Sequence, residues 1–124
     1  KFKALVTAGP TREYIDSVRY ITNKSSGKQG FELAKSLSKR GFETTLISGP
    51  TNLHKPYDVK LVQVISGKEM LIETQKHLPV DIAICSAAVS DYVPINYFRR
   101  LYFVVRIFIF TFNKLLLDDI SPLL

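Results

Sequence analysis

TAGPTREYIDSVRYITNKSSGKQG, residues Thr7 to Gly30, is the stretch that decides how this 124-residue chain folds. A short apolar run, Phe2–Ala8, leads into it, a polar loop follows, and a helix leaves it. Strand-to-helix junctions of this kind bind anionic ligands in open α/β sheets. The first N–H groups of the helix have no intrahelical partner, and the helix dipole favours negative charge there. The loop carries Arg12, Arg19, Lys24 and Lys28, several small residues, and one amide, Asn23, just ahead of the helix.

The spacing predicts that helix over Ser26–Arg40. Phe31, Ala34 and Leu37 fall on one face, Ser26 with Gln29 makes a capping box with Ser26 as N-cap, and Gly41 suits the position after the C-cap. Glu43–Ser48 reads as a second strand, broken by Gly49-Pro50. Val59–Ile65 reads as a third. Ser66 with Glu69 opens a second helix through Met70, Leu71 and Leu78, stopped at Pro79. Asp81–Ala88 reads as a fourth strand, buried because it is short and apolar, with Cys85 as inert core. Strands alternating with helices imply right-handed crossovers and a parallel sheet. The fold class is therefore α/β: a Rossmann-like parallel sheet with flanking helices, here truncated. In that arrangement the first and fourth strands are neighbours, and their carboxyl ends open the ligand crevice. The Gly9–Gly30 loop and Ser86–Asp91 then meet there.

Bulk properties narrow the partners. The net charge of +6 is spread along the chain, with no Lys/Arg run longer than Arg99-Arg100. A nucleic-acid surface would carry a denser basic stripe, so small anions are favoured over nucleic acid. The single cysteine excludes an intrachain disulfide. His54 and His77 lack metal-ligand spacing, so no metal site is expected. The Leu101–Phe112 run is interrupted by Arg106, and no membrane span is expected. No secretory signal is readable, and a cytoplasmic location is inferred.

The chemistry on offer is phosphate binding. Ser25, Ser26, Gly27 and Lys28 combine hydroxyl donors, close backbone approach and charge at a helix start; a plain capped surface helix is the alternative. The loop is not a Walker A loop, since Thr22 and Gln29 stand where that pattern needs Gly and Ser/Thr. Gly9-Pro10-Thr11 replaces the G-x-G of dinucleotide sites, and no acidic residue ends the second strand, which disfavours a nicotinamide cofactor. Asn23 could polarise a carbonyl or hold an oxyanion, or simply serve a turn. Arg19 could fork onto a carboxylate or phosphate, or remain solvated. Asp91 could take a ribose hydroxyl or a metal–phosphate, or form an Asx turn towards Pro94.

Five strings carry more than their physics: Ala8–Glu13 (AGPTRE), Val18–Asn23 (VRYITN), Ser25–Gly30 (SSGKQG), Ser48–Pro50 (SGP) and Ala87–Tyr92 (AAVSDY). In this order and spacing, from Phe2 to about Pro94, the chain closely resembles the phosphopantothenate–cysteine ligase (phosphopantothenoylcysteine synthetase) family. In bacteria that ligase is commonly the C-terminal domain of a bifunctional coenzyme A biosynthesis flavoprotein. The resemblance implies CTP-dependent activation of 4′-phosphopantothenate as an acyl-cytidylate, with Mg2+ accompanying the nucleotide, then amide formation with cysteine. It implies Asn23 and Arg19 as catalytic residues. Gly9, Thr11, Ser25, Ser26, Gly27, Lys28, Ala87, Ala88 and Asp91 are implied as nucleotide- and phosphate-binding. FMN would belong only to the separate decarboxylase domain of bifunctional relatives. The family also dimerises.

After Asp91-Tyr92 the family continues into a segment with a catalytic lysine, and no counterpart is readable here. The chain divides into a ligase-like nucleotide-binding part, 1–98, and a divergent apolar tail, 99–124. The tail's β-branched and aromatic residues suit a strand replacing the fifth of the sheet. Its Phe, Ile, Leu, Tyr, Asn and Lys also match AT-rich DNA read in a shifted frame, the favoured origin. The alternative function is thus a truncated, catalytically inactive nucleotide-binding remnant.

Overall fold

Continuous burial along the first strand, from Ala4 to Ala8, marks a strand enclosed on both faces. In β1 (Lys3–Ala8), Ala4, Val6 and Ala8 pack to one side, and Leu5 packs to the other. A strand buried on both faces needs a cover on each. The computed structural model describes residues 1–96 and 100–105, and it supplies both covers.

The chain leaves β1 into a small antiparallel hairpin, β2 (Arg12–Tyr14) and β3 (Tyr20–Thr22), within the stretch whose sequence predicts a polar loop. Next come α1 (Lys28–Lys39), β4 (Glu43–Ser48) and β5 (Val59–Gln63). They are followed by α2 (Gly67–Lys76) and β6 (Ile82–Cys85). The main sheet is four-stranded, in the order β5-β4-β1-β6, with every pairing parallel. This is the Rossmann-like α/β fold read from the sequence, with β1 and β6 adjacent as expected. Phe31, Ala34 and Leu37 of α1 pack with Ala4, Val6, Ala8 and Leu46 on one face. Met70 of α2 packs with Leu5, Ile47 and Val64 on the other.

The helix ends follow local rules, with one revision. At the end of α1, Gly41 has φ +90°, and its N–H donates to Ser38 O while Phe42 N–H donates to Leu37 O. That is a Schellman closure, as the glycine implied. At its start the N-cap is Gly27 and not Ser26. Gly27 is left-handed, with φ +77°, and a Cβ there would lie 2.8 Å from Thr51 Cγ2. The close crossing of two loops, and not a side-chain cap, therefore defines this helix start. Gly30, one turn on, lets the helix lie directly on Ala8 and Ser86, where a Cβ would collide. In α2 the Ser66 half of the capping box forms, with Ser66 Oγ accepting from Glu69 N–H at 3.1 Å, while Glu69 Oε2 accepts from Ile65 N–H, one residue before the N-cap. The helix ends at Lys76, so Leu78 lies beyond it and not within it.

Two further expectations are corrected. β6 is the last strand of this sheet, and its residues are half-buried or exposed, not core. Cys85 is solvent-accessible on that strand. Surrounding protein nonetheless pushes its thiol up to about 11, against a lowering contact from Thr7. Beyond β6, β7 (Tyr92–Asn96) pairs antiparallel with β8 (Arg100–Val105) in a separate two-stranded sheet, so Arg100–Val105 does not continue the parallel sheet. The rest of the apolar tail, 97–99 and 106–124, lies outside the described residues. Among the described residues, no helix is long and apolar enough to cross a membrane.

Candidate functional site

The carboxyl ends of β1 and β6 lie side by side, Thr7 in register with Cys85. From there the two loops stay joined. Ser86 N–H donates to Thr7 O, Ala88 N–H to Gly9 O at 2.9 Å, and Thr11 N–H to Ala88 O. Pro10 and Ala88 form a parallel bridge. Ser90 N–H then donates to Thr11 Oγ1 at 3.0 Å, and both residues are buried. The motif after the first strand and the motif after the last are thus one continuous surface.

Asn23 closes this arrangement. Its Nδ2 donates to Val89 O at 3.0 Å and lies 3.5 Å from Ala88 O. Its neighbour Thr22 donates through Oγ1 to Thr11 O at 2.7 Å. A short residue with two amide protons can satisfy two carbonyls of a neighbouring loop while its Oδ1 stays available as an acceptor. In this state the amide donors serve the loop, and an oxyanion would have to compete for them.

The helix start lies on the same side. Ser25 Oγ accepts from Gly27 N–H and Ser26 Oγ from Lys28 N–H, each at 3.3 Å. Each hydroxyl oxygen is thereby an acceptor, and its own proton remains for an anion. Lys28 is exposed at the first helical position. Ala87 and Ala88 are half-buried and Asp91 is exposed at the rim.

The structure therefore brings together Gly9, Thr11, Asn23, Ala87, Ala88 and Asp91, with Ser25–Lys28 at the adjoining helix start. Arg19 stands apart from this cluster. The hairpin pairs Arg12 with Thr22 at its base and Tyr14 with Tyr20 towards its tip, and Arg19 lies in the tip. There it forms an ion pair with Asp16 at 2.8 Å. The backbone N–H groups of Arg19 and Val18, then the Arg19 side chain, hold the Asp16 carboxyl down at about 2.

Sequence reading overlooked two contributors. Glu13 is a buried carboxylate whose Oε1 accepts from Gly67 N–H at 3.2 Å, tying the hairpin to the start of α2. A carboxylate there complements the positive end of the helix. Its place inside the AGPTRE string was visible, but its partner is 54 positions away. Thr51, the second, seats its methyl against Gly27 and Gly9, and only the loop crossing reveals it.

Known proteins share this arrangement of sequence and fold. The model of a family described as the DNA/pantothenate metabolism flavoprotein C-terminal domain matches residues 1–100. The coenzyme A biosynthesis bifunctional protein CoaBC of Vibrio cholerae is 50% identical over 93 residues, covering 74% of this chain and 23% of that protein. CoaBC of Haemophilus influenzae is 51% identical over 88 residues, covering 70% of this chain and 22% of that protein. The chain thus spans under a quarter of the length of these curated relatives. The crystal structure of a CoaBC C-terminal domain superposes with a TM-score of 0.75 at 42% identity, over 86% of this chain and 54% of that one.

Proposed function

The chain belongs to the family of the DNA/pantothenate metabolism flavoprotein C-terminal domain, and from that premise we propose that it carries the nucleotide-binding and acyl-activating surface of a phosphopantothenate–cysteine ligase. The observation that carries the reading is the junction at Asn23: its amide donates to the Val89 carbonyl and unites the loops after β1 and β6 into one crevice.

In this reading CTP lays its phosphates along Ser25, Ser26, Gly27 and Lys28. The 4′-phosphopantothenate carboxylate attacks the α-phosphorus, pyrophosphate leaves, and an acyl-cytidylate forms. The amine of cysteine then displaces CMP and forms the amide. Asn23, once turned from the Val89 carbonyl, donates to the oxygen that gains charge. Thr11 and Ala88 hold the two loops in register, and Gly9 lets the backbone approach the ligand. Arg19 acts as a fork for an anionic substrate group, exchanging the Asp16 carboxylate for it.

Magnesium would arrive with the phosphates. A cation of this kind is held chiefly by phosphate oxygens and water with one carboxylate, and Asp91, exposed at the rim, would supply that carboxylate. The cation would neutralise charge on the phosphates.

A second reading is nucleotide binding without turnover. It is favoured by the absence of any lysine between Tyr92 and Asn113, where the family resemblance calls for one. Charge fixed at a transferring phosphoryl group supplies about 3–4 kcal/mol per donor, so activation without it should be slower by orders of magnitude. Calorimetry of the full chain tests nucleotide binding: CTP with magnesium should bind more tightly than NADH. Tighter NADH binding, or no CTP binding up to millimolar concentration, would contradict the proposal. Pyrophosphate release with 4′-phosphopantothenate separates turnover from binding alone.

A further inference from the structure

Arg12 lies outside the cluster described above, and its surroundings are those of a ligand-binding residue. Two clefts meet at it. One, of about 260 Å³, is bordered by Arg12, Ser25, Ser26, Thr51 and Asn52. The other, of about 320 Å³, runs from Arg12 over the carboxyl ends of β4 and β5 to Gln63. Among the described residues, no carboxylate lines either cleft.

The Arg12 side chain is held by an aromatic face, and among the described residues no carboxylate pairs with it. Its guanidinium carbon stands 4.6 Å from the centroid of the Tyr20 ring. Its backbone N–H is fixed to Ile65 O at 2.7 Å. Stacking on an aromatic face uses the flat side of the guanidinium and leaves the N–H donors at its edge available. Among the described residues the ion pairs are Asp16–Arg19 and Glu73–Lys76, and neither involves Arg12. Lining the same cleft are three residues whose hydroxyl oxygens already accept backbone N–H groups: Ser25 from Gly27, Ser26 from Lys28 and Thr51 from Leu53. Each retains a proton to donate. The loop bearing Thr51 is set against this surface, since a Cβ on Gly9 or Gly27 would come within 2.9 or 2.8 Å of the Thr51 methyl.

We propose that Arg12, with Ser25, Ser26 and Thr51, forms a phosphoryl-binding subsite between the helix start and the loop after β4. One planar fork and three hydroxyl donors, with no lining carboxylate, match the several acceptor oxygens of a phosphoryl group better than the two of a carboxylate. The subsite adjoins the proposed path of the nucleotide phosphates, so its ligand is the distal phosphates of CTP. The phosphate of the acyl substrate is the other source of the same chemistry. The identity of the ligand rests on the ligase reading, whereas the subsite itself does not.

The test is calorimetry of the full chain, parent and Arg12→Gln, with magnesium and each of CTP, inorganic pyrophosphate and 4′-phosphopantothenate. The expected result is a loss of about tenfold or more in affinity for CTP and pyrophosphate, measured at a temperature well below the melting transition of both proteins. A loss confined to 4′-phosphopantothenate still supports the subsite and assigns it to the acyl substrate. Pyrophosphate responding to Arg12 while CTP fails to bind supports the subsite and removes the ligase reading. CTP bound equally by both proteins overturns the inference and leaves the ligase reading standing. Failure of the parent to bind any of the three also overturns it. If Arg12→Gln melts early, Thr51→Val keeps the packed methyl and removes the hydroxyl, and at least a twofold loss for the same ligand is required.

Discussion

At the residue scale, the site depends on short polar side chains that bind one loop to another. Asn23 is the clearest case, donating to Val89 O across 66 positions. Replacing the amide with a carboxylate removes both donors and sets an anion against two carbonyls. Asn23→Asp should therefore lower stability by about 1 kcal/mol, read as a shift in the urea midpoint; a variant as stable as the parent would show that Asn23 does not tie the loops. Asp16 gives a test with a sign. Its folded value of about 2 lies below the ordinary aspartate value of 3.8, so its contribution is present above about pH 4 and is lost as pH falls through 2. A carboxyl titration followed by NMR should place its midpoint near 2, and Asp16→Asn should flatten the pH dependence of hairpin stability in that window. A midpoint near 4 would mean that the Arg19 and Val18 N–H groups do not hold it. Asn23 was legible as a candidate because it precedes a helix start rich in serine and glycine. Its partners were not, because nothing local in VRYITN points to Val89.

At the element scale, what could be read was what local rules determine. Glu43–Ser48 matches β4 residue for residue, because a β-branched run between Gly41-Phe42 and Gly49-Pro50 has one reading. Ser66 with Glu69 did cap α2. The hairpin was illegible because its strands are three residues each and lack apolar alternation. It is held by the stacking of Arg12 on Tyr20, the contact of Tyr14 with Tyr20 at 5.2 Å, and the Glu13 bond to Gly67. The start of α1 is likewise set by a distant contact and not by local signals. Ser26 is a good local cap, but the crossing of Thr51 over Gly27 demands a left-handed residue without a Cβ. Gly27→Ala should cost about 1–2 kcal/mol in left-handed backbone strain alone, plus the contact with Thr51. Chemical denaturation checks this against Ser66→Ala, which loses only a cap worth about 1 kcal/mol. Equal costs would contradict the loop-crossing account.

At the scale of the whole molecule, one parallel sheet covered on two faces brings residues from both ends of the described chain to one rim. The order β5-β4-β1-β6 makes β1 and β6 neighbours, so the loops after them meet whatever their distance in sequence. That convergence was legible from topology, since alternation of strands and helices allows few arrangements. The exposure of β6 was not, because an apolar run of four residues looks the same at an edge as in the middle of a sheet. The central claim is that this rim, and not another part of the molecule, takes the nucleotide. Amide chemical-shift mapping of the full chain with CTP and magnesium tests it directly. The largest changes should fall on Gly9, the side-chain amide of Asn23, Gly27, Lys28, Ala88 and Asp91, with α2 and β5 unmoved. Changes centred on α2 or β5, or none up to millimolar CTP, would contradict the account.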